Sequence, residues 1–376
     1  MKNRIGIIGG GQLGRMMAIE AKKLGFHVTI LDPIQNSPAG QVADTQVIAG
    51  YNDEEAILEL ATLVDYITFE IESTNGMFLD EIEKKTSCII NPSGKSWRLF
   101  QDKLEQKKLF QKGSIPQPQF MEIKNKSDMY IAGKRFGYPF LLKARFDAYD
   151  GKGNIVIKTK NDFEKAWERF KEKKLYAEEY IHFDKELAVI VARGNRGEIV
   201  PYPVVETVQK NNICHYVIAP ASISGKARKK ALSLATKTMK LLKGSGVFGI
   251  EMYKTPQDTI LINEIAPRVH NSGHFTIEAC ITSQFEQHIR AISGLPLGKT
   301  DMKVPSAVMV NILGERQGEA YVKGLDKALL IPHVSVHIYG KKDTKNERKM
   351  GHITAIDEAV EKAMKKARKA RKLITI

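Results

Sequence analysis

Short apolar runs alternate with amphipathic stretches through the N-terminal part of the chain, the pattern of strands wound with helices. Arg4-Ile-Gly-Ile-Ile8 reads as a strand, Gly9-Gly-Gly-Gln-Leu-Gly14 as a tight turn, 15–24 as a helix and 28–31 as a second strand. A helix over Glu54–Leu63, a strand over Tyr66–Phe69, a helix over Gly76–Lys85 and a strand over 88–90 complete a small α/β unit. The pattern changes at Asn91-Pro92. A helical segment over 96–112 runs into Ile115-Pro-Gln-Pro118, which breaks regular structure and reads as a linker. Strands are then predicted at Phe140–Ala144, 154–158, 175–181, 186–193 and 217–220, followed by a helix over 226–243. Two apolar runs, 246–253 and 259–266, flank Lys254-Thr-Pro-Gln-Asp258 and read as a β-hairpin. Further strands at 306–313, 334–339 and 350–356 surround a polar loop over 340–349. The last element reads as a helix with Val360, Met364, Ala367 and Leu373 facing inward.

The hairpin carries the first chemical signal. Each of its runs contains one carboxylate, Glu251 and Glu264. A loop centred between Gln257 and Asp258 sets them directly opposite each other; a centre one residue earlier makes them diagonal neighbours on the same face. Facing like charges destabilise a sheet, more so when buried, unless one is protonated or a cation lies between them. Mg²⁺ takes one or two carboxylates together with substrate phosphates, and Asn263 offers a further oxygen. The competing reading is two solvent-facing glutamates on an edge hairpin.

Other stretches point to phosphate. Gly9, Gly11 and Gly14 satisfy G-x-G-x-x-G, with Asp32 placed as a ribose-binding acid, which supports a nicotinamide-dependent oxidoreductase. Glycines at a helix N-terminus nevertheless present backbone N–H groups to any phosphate. Glu70-Ile-Glu72 falls at the carboxyl edge of the parallel sheet, either as ligand-binding acids or as ordinary loop acids. Lys143 stands alone in an apolar strand and needs an anionic partner. The glycine-rich stretch Tyr149-Asp-Gly-Lys-Gly153 can close over phosphates, with Lys152 adding charge, or be a plain hairpin tip. His270, His274 and Glu278 have a zinc-like spacing, but Asn271-Ser-Gly273 argues for a loop and no HExxH is present. A loop offering Arg268, two histidines, an amide and a hydroxyl suits an oxyanion better.

A formal net charge of +15 raises nucleic acid as a partner. The basic runs at 226–230 and 362–372 lack interleaved aromatic residues, and the second reads as a helix with solvated lysines. Anionic small substrates are the better account of the charge, so no nucleic acid is expected. No apolar run approaches the length of about 18 residues that suggests a membrane span. The N-terminus has no signal-peptide pattern. Cys88, Cys214 and Cys280 form no CxxC pair and fit a reducing, cytoplasmic setting.

Taken together, Lys103, Lys143, the AYDGKGN stretch, AEEYI with Glu186, and the hairpin carboxylates resemble the ATP-grasp superfamily. The long stretch 263–292, with 307–314 and 348–354, resembles within it the family of 5-(carboxyamino)imidazole ribonucleotide synthases, ligases of purine biosynthesis. The chain departs from that family in having lysine rather than the commoner arginine at Lys103, and Asn346-Glu347 where a Pro-Gly precedes the last Arg-Lys.

The resemblance implies a multidomain α/β and α+β chain. It would have a Rossmann-like pre-ATP-grasp domain over 1–100, a two-part ATP-grasp core over 101–295 with its lid around 115–180, and a small β-rich C-terminal domain over 296–376. It implies conversion of ATP, bicarbonate and 5-aminoimidazole ribonucleotide into the carbamate, ADP and phosphate, through carboxyphosphate, by a homodimer with two Mg²⁺ ions. By the same resemblance, Glu251 and Glu264 hold the metal. ATP is bound by Lys103, Lys143, Ala148, Tyr149, Asp150, Gly151, Lys152, Gly153, Asn154, Glu178, Glu179, Tyr180, Ile181, Glu186, Gln209, Asn263 and Glu264. The ribonucleotide and bicarbonate meet Gln12, Leu13, Glu70, Arg268, His270, Asn271, Ser272, Lys341, Arg348 and Lys349, and catalysis falls to Arg268, Lys341, Tyr149 and Lys152. The rivals are a related ligase using formate and glycinamide ribonucleotide, and the oxidoreductase.

Overall fold

The computed structural model describes residues 3–146 and 153–376. Its N-terminal part comprises β1 (Arg4–Ile8), α1 (Gln12–Lys23), β2 (His27–Leu31), β3 (Thr45–Val47), α2 (Glu54–Leu63), β4 (Tyr66–Phe69), α3 (Gly76–Lys85) and β5 (Ile89–Ile90). The strands pair in parallel in the order β3-β2-β1-β4-β5. Because both faces are covered, the strands are apolar almost throughout. Ile5, Ile7, Val28 and Ile30 pack towards α1 and the rest of the molecule, and Ile8, Ile67 and Phe69 towards α2, α3 and the buried Trp97.

The single helix expected over 96–112 is two, α4 (Gly94–Gln101) and α5 (Lys103–Lys112). Asp102 separates them with an extended backbone, and its carboxylate accepts from the N–H groups of Leu104 (3.1 Å) and Glu105 (3.4 Å). This N-cap starts a new helix in a new direction and sets Lys103 in its first turn.

A separate four-stranded unit follows as β6 (Phe120–Ile123), α6 (Lys126–Phe136), β7 (Phe140–Ala144), β8 (Asn154–Ile157), α7 (Phe163–Phe170) and β9 (Leu175–Glu179). Its antiparallel order is β6-β9-β7-β8. Alternation along the strands separates two faces. Phe140, Leu142, Ala144, Leu175 and Ala177 pack with Met129, Ala132, Phe163 and Phe170 from the two helices. Lys143, Tyr176 and Glu178 occupy the other face.

The remainder builds one large sheet. It contains β10 (Lys185–Arg193), β11 (Ile199–Pro201), β12 (Val205–Lys210), β13 (Ile213–Ala219), α8 (Gly225–Leu241), β14 (Gly246–Lys254), β15 (Ile260–Ala266), α9 (Thr276–Ala279) and α10 (Gln284–Ser293). The C-terminal elements are β16 (Ser306–Leu313), β17 (Gly318–Glu319), α11 (Leu325–Leu329), β18 (Val334–Ile338), β19 (Asp343–Thr344), β20 (Lys349–Asp357) and α12 (Val360–Leu373). Among the described residues the order is β15-β14-β10-β12-β13-β16-β20-β18, with β11 beside β10 and β17 paired to β19. The β-rich C-terminal region is therefore hydrogen-bonded into the core sheet through β13 and β16, where Val217 faces Met309. Ala363, Ala367 and Ala370 form the buried line of α12, flanked by the expected Val360, Met364 and Leu373. No described helix is long and apolar enough to cross a membrane.

Candidate functional site

The outer half of the β14–β15 hairpin pairs Lys254 with Ile260, Tyr253 with Leu261 and Met252 with Ile262. Continued unchanged, this ladder would set Glu251 against Asn263 and turn Glu264 to the opposite face. Both loop centres expected from the sequence are thus wrong for this outer half. A register shift between Glu251 and Met252 makes Asn263 the extra residue of a β-bulge, and Glu251 faces Glu264. Asn263 Nδ2 donates to Glu251 Oε2 at 3.5 Å, while its Oδ1 is buried with no hydrogen-bond partner among the described residues.

The two carboxyl groups are held differently. Lys103 Nζ lies 2.5 Å from Glu264 Oε2, and His270 Nε2 lies 3.5 Å from Glu251 Oε1. Burial raises the pKa of Glu251, and the facing Glu264 adds to the shift. Burial opposes ionisation of Glu264 too, but the Lys103 ammonium outweighs it and holds that carboxyl below the usual range. Two carboxylates and an unpartnered amide oxygen form an all-oxygen donor set suited to a hard divalent cation completed by phosphate and water.

β10 adds a third acid. Ala188 faces Glu251 and Glu186 faces Tyr253, so Glu186, Glu251 and Glu264 share one face of the sheet. Burial pushes Glu186 up to about 7. On β7, Lys143 finds its anion within the protein: Nζ lies 2.8 Å from Glu178 Oε1. Lys107 Nζ lies 2.7 Å from the other oxygen, Oε2. Glu178, expected at the adenine, is completely buried between these two ammoniums. Lys107 is absent from the sequence reading, although its place four residues after Lys103 puts both on one side of α5. Glu179 accepts from the Gln119 N–H at 3.2 Å; Tyr180 and Ile181 follow the end of β9, and Gln209 is half-buried on β12. Asn154 faces Lys143, and the Gly153 carbonyl accepts from the Ala144 N–H at 2.8 Å. Ala148, Tyr149, Asp150, Gly151 and Lys152 lie outside the described residues.

After β15 the chain turns through Arg268 to a 3-10 turn at Asn271–Gly273. Arg268 Nη2 pairs with Glu72 at 3.0 Å, and its buried Nε has no hydrogen-bond partner among the described residues. His270 Nδ1 and Ser272 Oγ are 2.8 Å apart. Asn271 exchanges amide hydrogen bonds of 3.0 and 2.8 Å with Asn311. The zinc reading fails here. His274 is buried with Nδ1 3.1 Å from Gln284 Nε2, while Glu278 is engaged by His337 at 2.7 Å.

The glycine turn is occupied by acids of the chain itself. Glu70 accepts from the N–H groups of Gly11 and Leu13, the latter at 3.0 Å. Asp32 accepts from Gly10 N–H (2.7 Å), Ile34 N–H (2.9 Å) and Tyr51 Oη (2.8 Å). This overturns the dinucleotide reading, because a pyrophosphate and a ribose would have to displace both acids. It also changes the expected phosphate contact at Gln12 and Leu13: the Leu13 amide is already bonded to Glu70. Burial raises the pKa of Glu70 against these amides and the positive charge of Lys341.

Lys341 comes from the far end of the chain. Its Nζ donates to the Lys349 carbonyl at 2.7 Å, and Arg348 Nη1 donates to the Asp343 carbonyl at 2.5 Å. The preceding Gly340 has φ +76° and accepts from Gln41 Nε2 at 2.8 Å, while Arg15 Nη1 donates to Gln41 Oε1 at 2.9 Å. Arg15, Gln41 and Glu72 therefore join distant parts of the chain around the site.

The chain matches three family descriptions: a ribonucleotide synthetase preATP-grasp domain over residues 1–101, an ATP-grasp domain over 108–285, and a phosphoribosylaminoimidazole carboxylase C-terminal domain over 307–366. It is 42% identical to the N5-carboxyaminoimidazole ribonucleotide synthase of Bacillus subtilis, over 93% of this chain and 90% of the relative. A crystal structure of N5-carboxyaminoimidazole ribonucleotide synthetase from Thermotoga maritima superposes with a TM-score of 0.90, at 47% identity over 100% of this chain and 99% of the other. The Aspergillus clavatus synthase, solved with ADP and 5-aminoimidazole ribonucleotide, also gives 0.90, at 36% identity over 99% and 98% of the two chains. The chain spans about two thirds of the length of the fungal phosphoribosylaminoimidazole carboxylases that it also matches.

Proposed function

This chain belongs to the N5-carboxyaminoimidazole ribonucleotide synthase family of ATP-grasp ligases, and on that premise we propose that it carboxylates 5-aminoimidazole ribonucleotide with bicarbonate and ATP. A bicarbonate oxygen attacks the γ-phosphorus and ADP leaves. The resulting carboxyphosphate delivers CO₂ to the substrate amine, yielding the carbamate and phosphate. The observation that carries the reading is the bulge at Asn263, which brings Glu264 opposite Glu251 with Lys103 beside it.

Phosphoryl transfer is mostly a matter of positioning and neutralising charge. Glu251, Glu264 and the Asn263 amide oxygen would hold Mg²⁺, which when bound neutralises charge on the phosphate oxygens. Two ions are expected from the family resemblance. Lys103 and Lys143 hold the polyphosphate from α5 and the lid, Glu186 receives the ribose hydroxyls, and residues 178–181 with Gln209 lie along the base. Arg268, whose Nε still lacks a partner among the described residues, binds the bicarbonate oxyanion with His270, Asn271 and Ser272. At the other end Gln12, Lys341, Arg348 and Lys349 hold the ribonucleotide, with Glu70 at its ribose and Leu13 lining the turn while its amide stays bonded to Glu70. Tyr149 and Lys152, on the glycine-rich stretch, would close the site, because carboxyphosphate must be kept from water. A cytoplasmic homodimer is the expected setting from the same resemblance.

The reaction is tested by measuring ADP release in bicarbonate buffer with and without 5-aminoimidazole ribonucleotide. Release that depends on both compounds is expected. Release that depends on formate and glycinamide ribonucleotide instead would assign the chain to the neighbouring ligase activity.

A further inference from the structure

Lys107 has no role in the site described above, yet it is one of the most completely enclosed charges in the protein. Its side chain is 3% exposed, its Nζ lies 2.7 Å from Glu178 Oε2, and Lys143 Nζ holds the other oxygen at 2.8 Å. Glu178 is inaccessible, so one carboxylate is shared by two ammoniums in a region where solvent screens little. One of the lysines would suffice to neutralise it. The second leaves a positive surplus, which is unfavourable in a buried setting unless another anion arrives. The neighbouring carboxylate, Glu264, is already paired with Lys103. Burial accordingly lowers the pKa of Lys107; Glu178 opposes that shift and Lys143 adds to it.

The two lysines differ in what they can reach. Lys107 is fixed on α5, whose register relative to the lid is set by Asp102 and its ion pair with Arg145. Lys143 lies on β7 opposite Asn154, where the glycine-rich stretch ends and the Gly153 carbonyl accepts from the next residue, Ala144. We propose that Lys107 is a positioning residue for nucleotide binding: by sharing Glu178 it prevents a closed one-to-one pair and leaves the Lys143 ammonium available to the polyphosphate. When phosphate draws Lys143 away, Lys107 remains as the counter-ion of Glu178, so no carboxylate is left buried alone. This rests on the reading of Lys143 as a phosphate contact.

The test compares Lys107→Met, Lys107→Arg and Lys143→Met by calorimetric binding of Mg-ADP and of Mg-tripolyphosphate, which has no base. Lys107→Met is expected to weaken both ligands by about tenfold, with affinity for 5-aminoimidazole ribonucleotide held within about twofold. Lys107→Arg keeps the charge and should stay within about threefold of the parent. The double variant Lys107→Met/Glu178→Gln removes the anion that would otherwise capture Lys143, together with the second cation that shares it, and should recover tripolyphosphate binding, which a purely structural role for Lys107 does not predict. Unchanged ADP and tripolyphosphate affinity in Lys107→Met, with Lys143→Met weakened, would overturn the proposal alone. Unchanged affinity in Lys143→Met would remove the reading beneath it. If Lys107→Met fails to fold, the double variant still decides: tripolyphosphate binding weaker than the parent's by about tenfold sinks the proposal.

Discussion

Glu264 stands in two relations at once, paired with Lys103 at 2.5 Å and set opposite Glu251 across the hairpin. Glutamine at this position keeps the shape and removes the charge, so it disturbs both. Turnover of Glu264→Gln should fall by at least the roughly 10–100-fold that even outer partners of a metal ligand command. Binding of the ribonucleotide, whose proposed contacts lie elsewhere, should survive. Near-normal turnover at saturating Mg²⁺, measured beside ribonucleotide affinity, would remove the metal role. Lys143 shows how far single-residue reasoning reaches. That it needs an anion follows from its apolar neighbours, whereas the identity of that anion depends on β9 folding beside β7. The partner is Glu178, a residue that the family resemblance assigns to ATP.

Elements matter mainly through their ends and irregularities. The Asp102 cap that splits one expected helix into α4 and α5 aims Lys103 at the hairpin, and the bulge at Asn263 restores the opposition of the acids. The turn before Lys341 is a third such point. Gly340 has φ +76°, and a Cβ there would come within 2.4 Å of Gln41 Oε1. Gly340→Ala should therefore cost about 1–2 kcal/mol of stability from the left-handed backbone. It should also raise KM for the ribonucleotide while leaving KM for ATP unchanged. Steady-state kinetics against each substrate, with a denaturation curve, check both parts. A change confined to the ATP constant would place the 340–349 turn elsewhere in the mechanism.

At the scale of the whole molecule, the site exists because three regions are fastened together. His288 is one fastener: Nε2 lies 2.7 Å from Thr68 Oγ1 of the N-terminal sheet, and Nδ1 accepts from the Val247 N–H of β14 at 3.0 Å. Burial lowers its pKa to about 3, so the fold keeps the ring neutral. A histidine depressed in this way stabilises the fold fully above its unfolded pKa of 6.5 and loses that contribution as the pH falls towards 3. The stability advantage of the parent over His288→Gln should therefore shrink on acidification through that window, by up to about 1.4 kcal/mol per pH unit. Paired denaturation curves across this range measure it. A constant difference would mean that the ring binds its proton equally well in the folded and unfolded chain, so that the fold does not depress its pKa.

The sequence by itself determined the strand–turn–helix order of the N-terminal unit, the existence of the hairpin, and the kinds of side chain available for phosphate and cation. These follow from local periodicity and from the chemistry of each residue. Only the tertiary structure decided that Glu70 and Asp32 occupy the glycine turn, that Lys107 shares Glu178, and that Gln41 holds the turn carrying Lys341. Each of those contacts joins residues distant in sequence or on separate elements, and which buried charge meets which is settled when those elements dock. The hairpin register belongs with them, since a single extra residue reverses the faces of a strand.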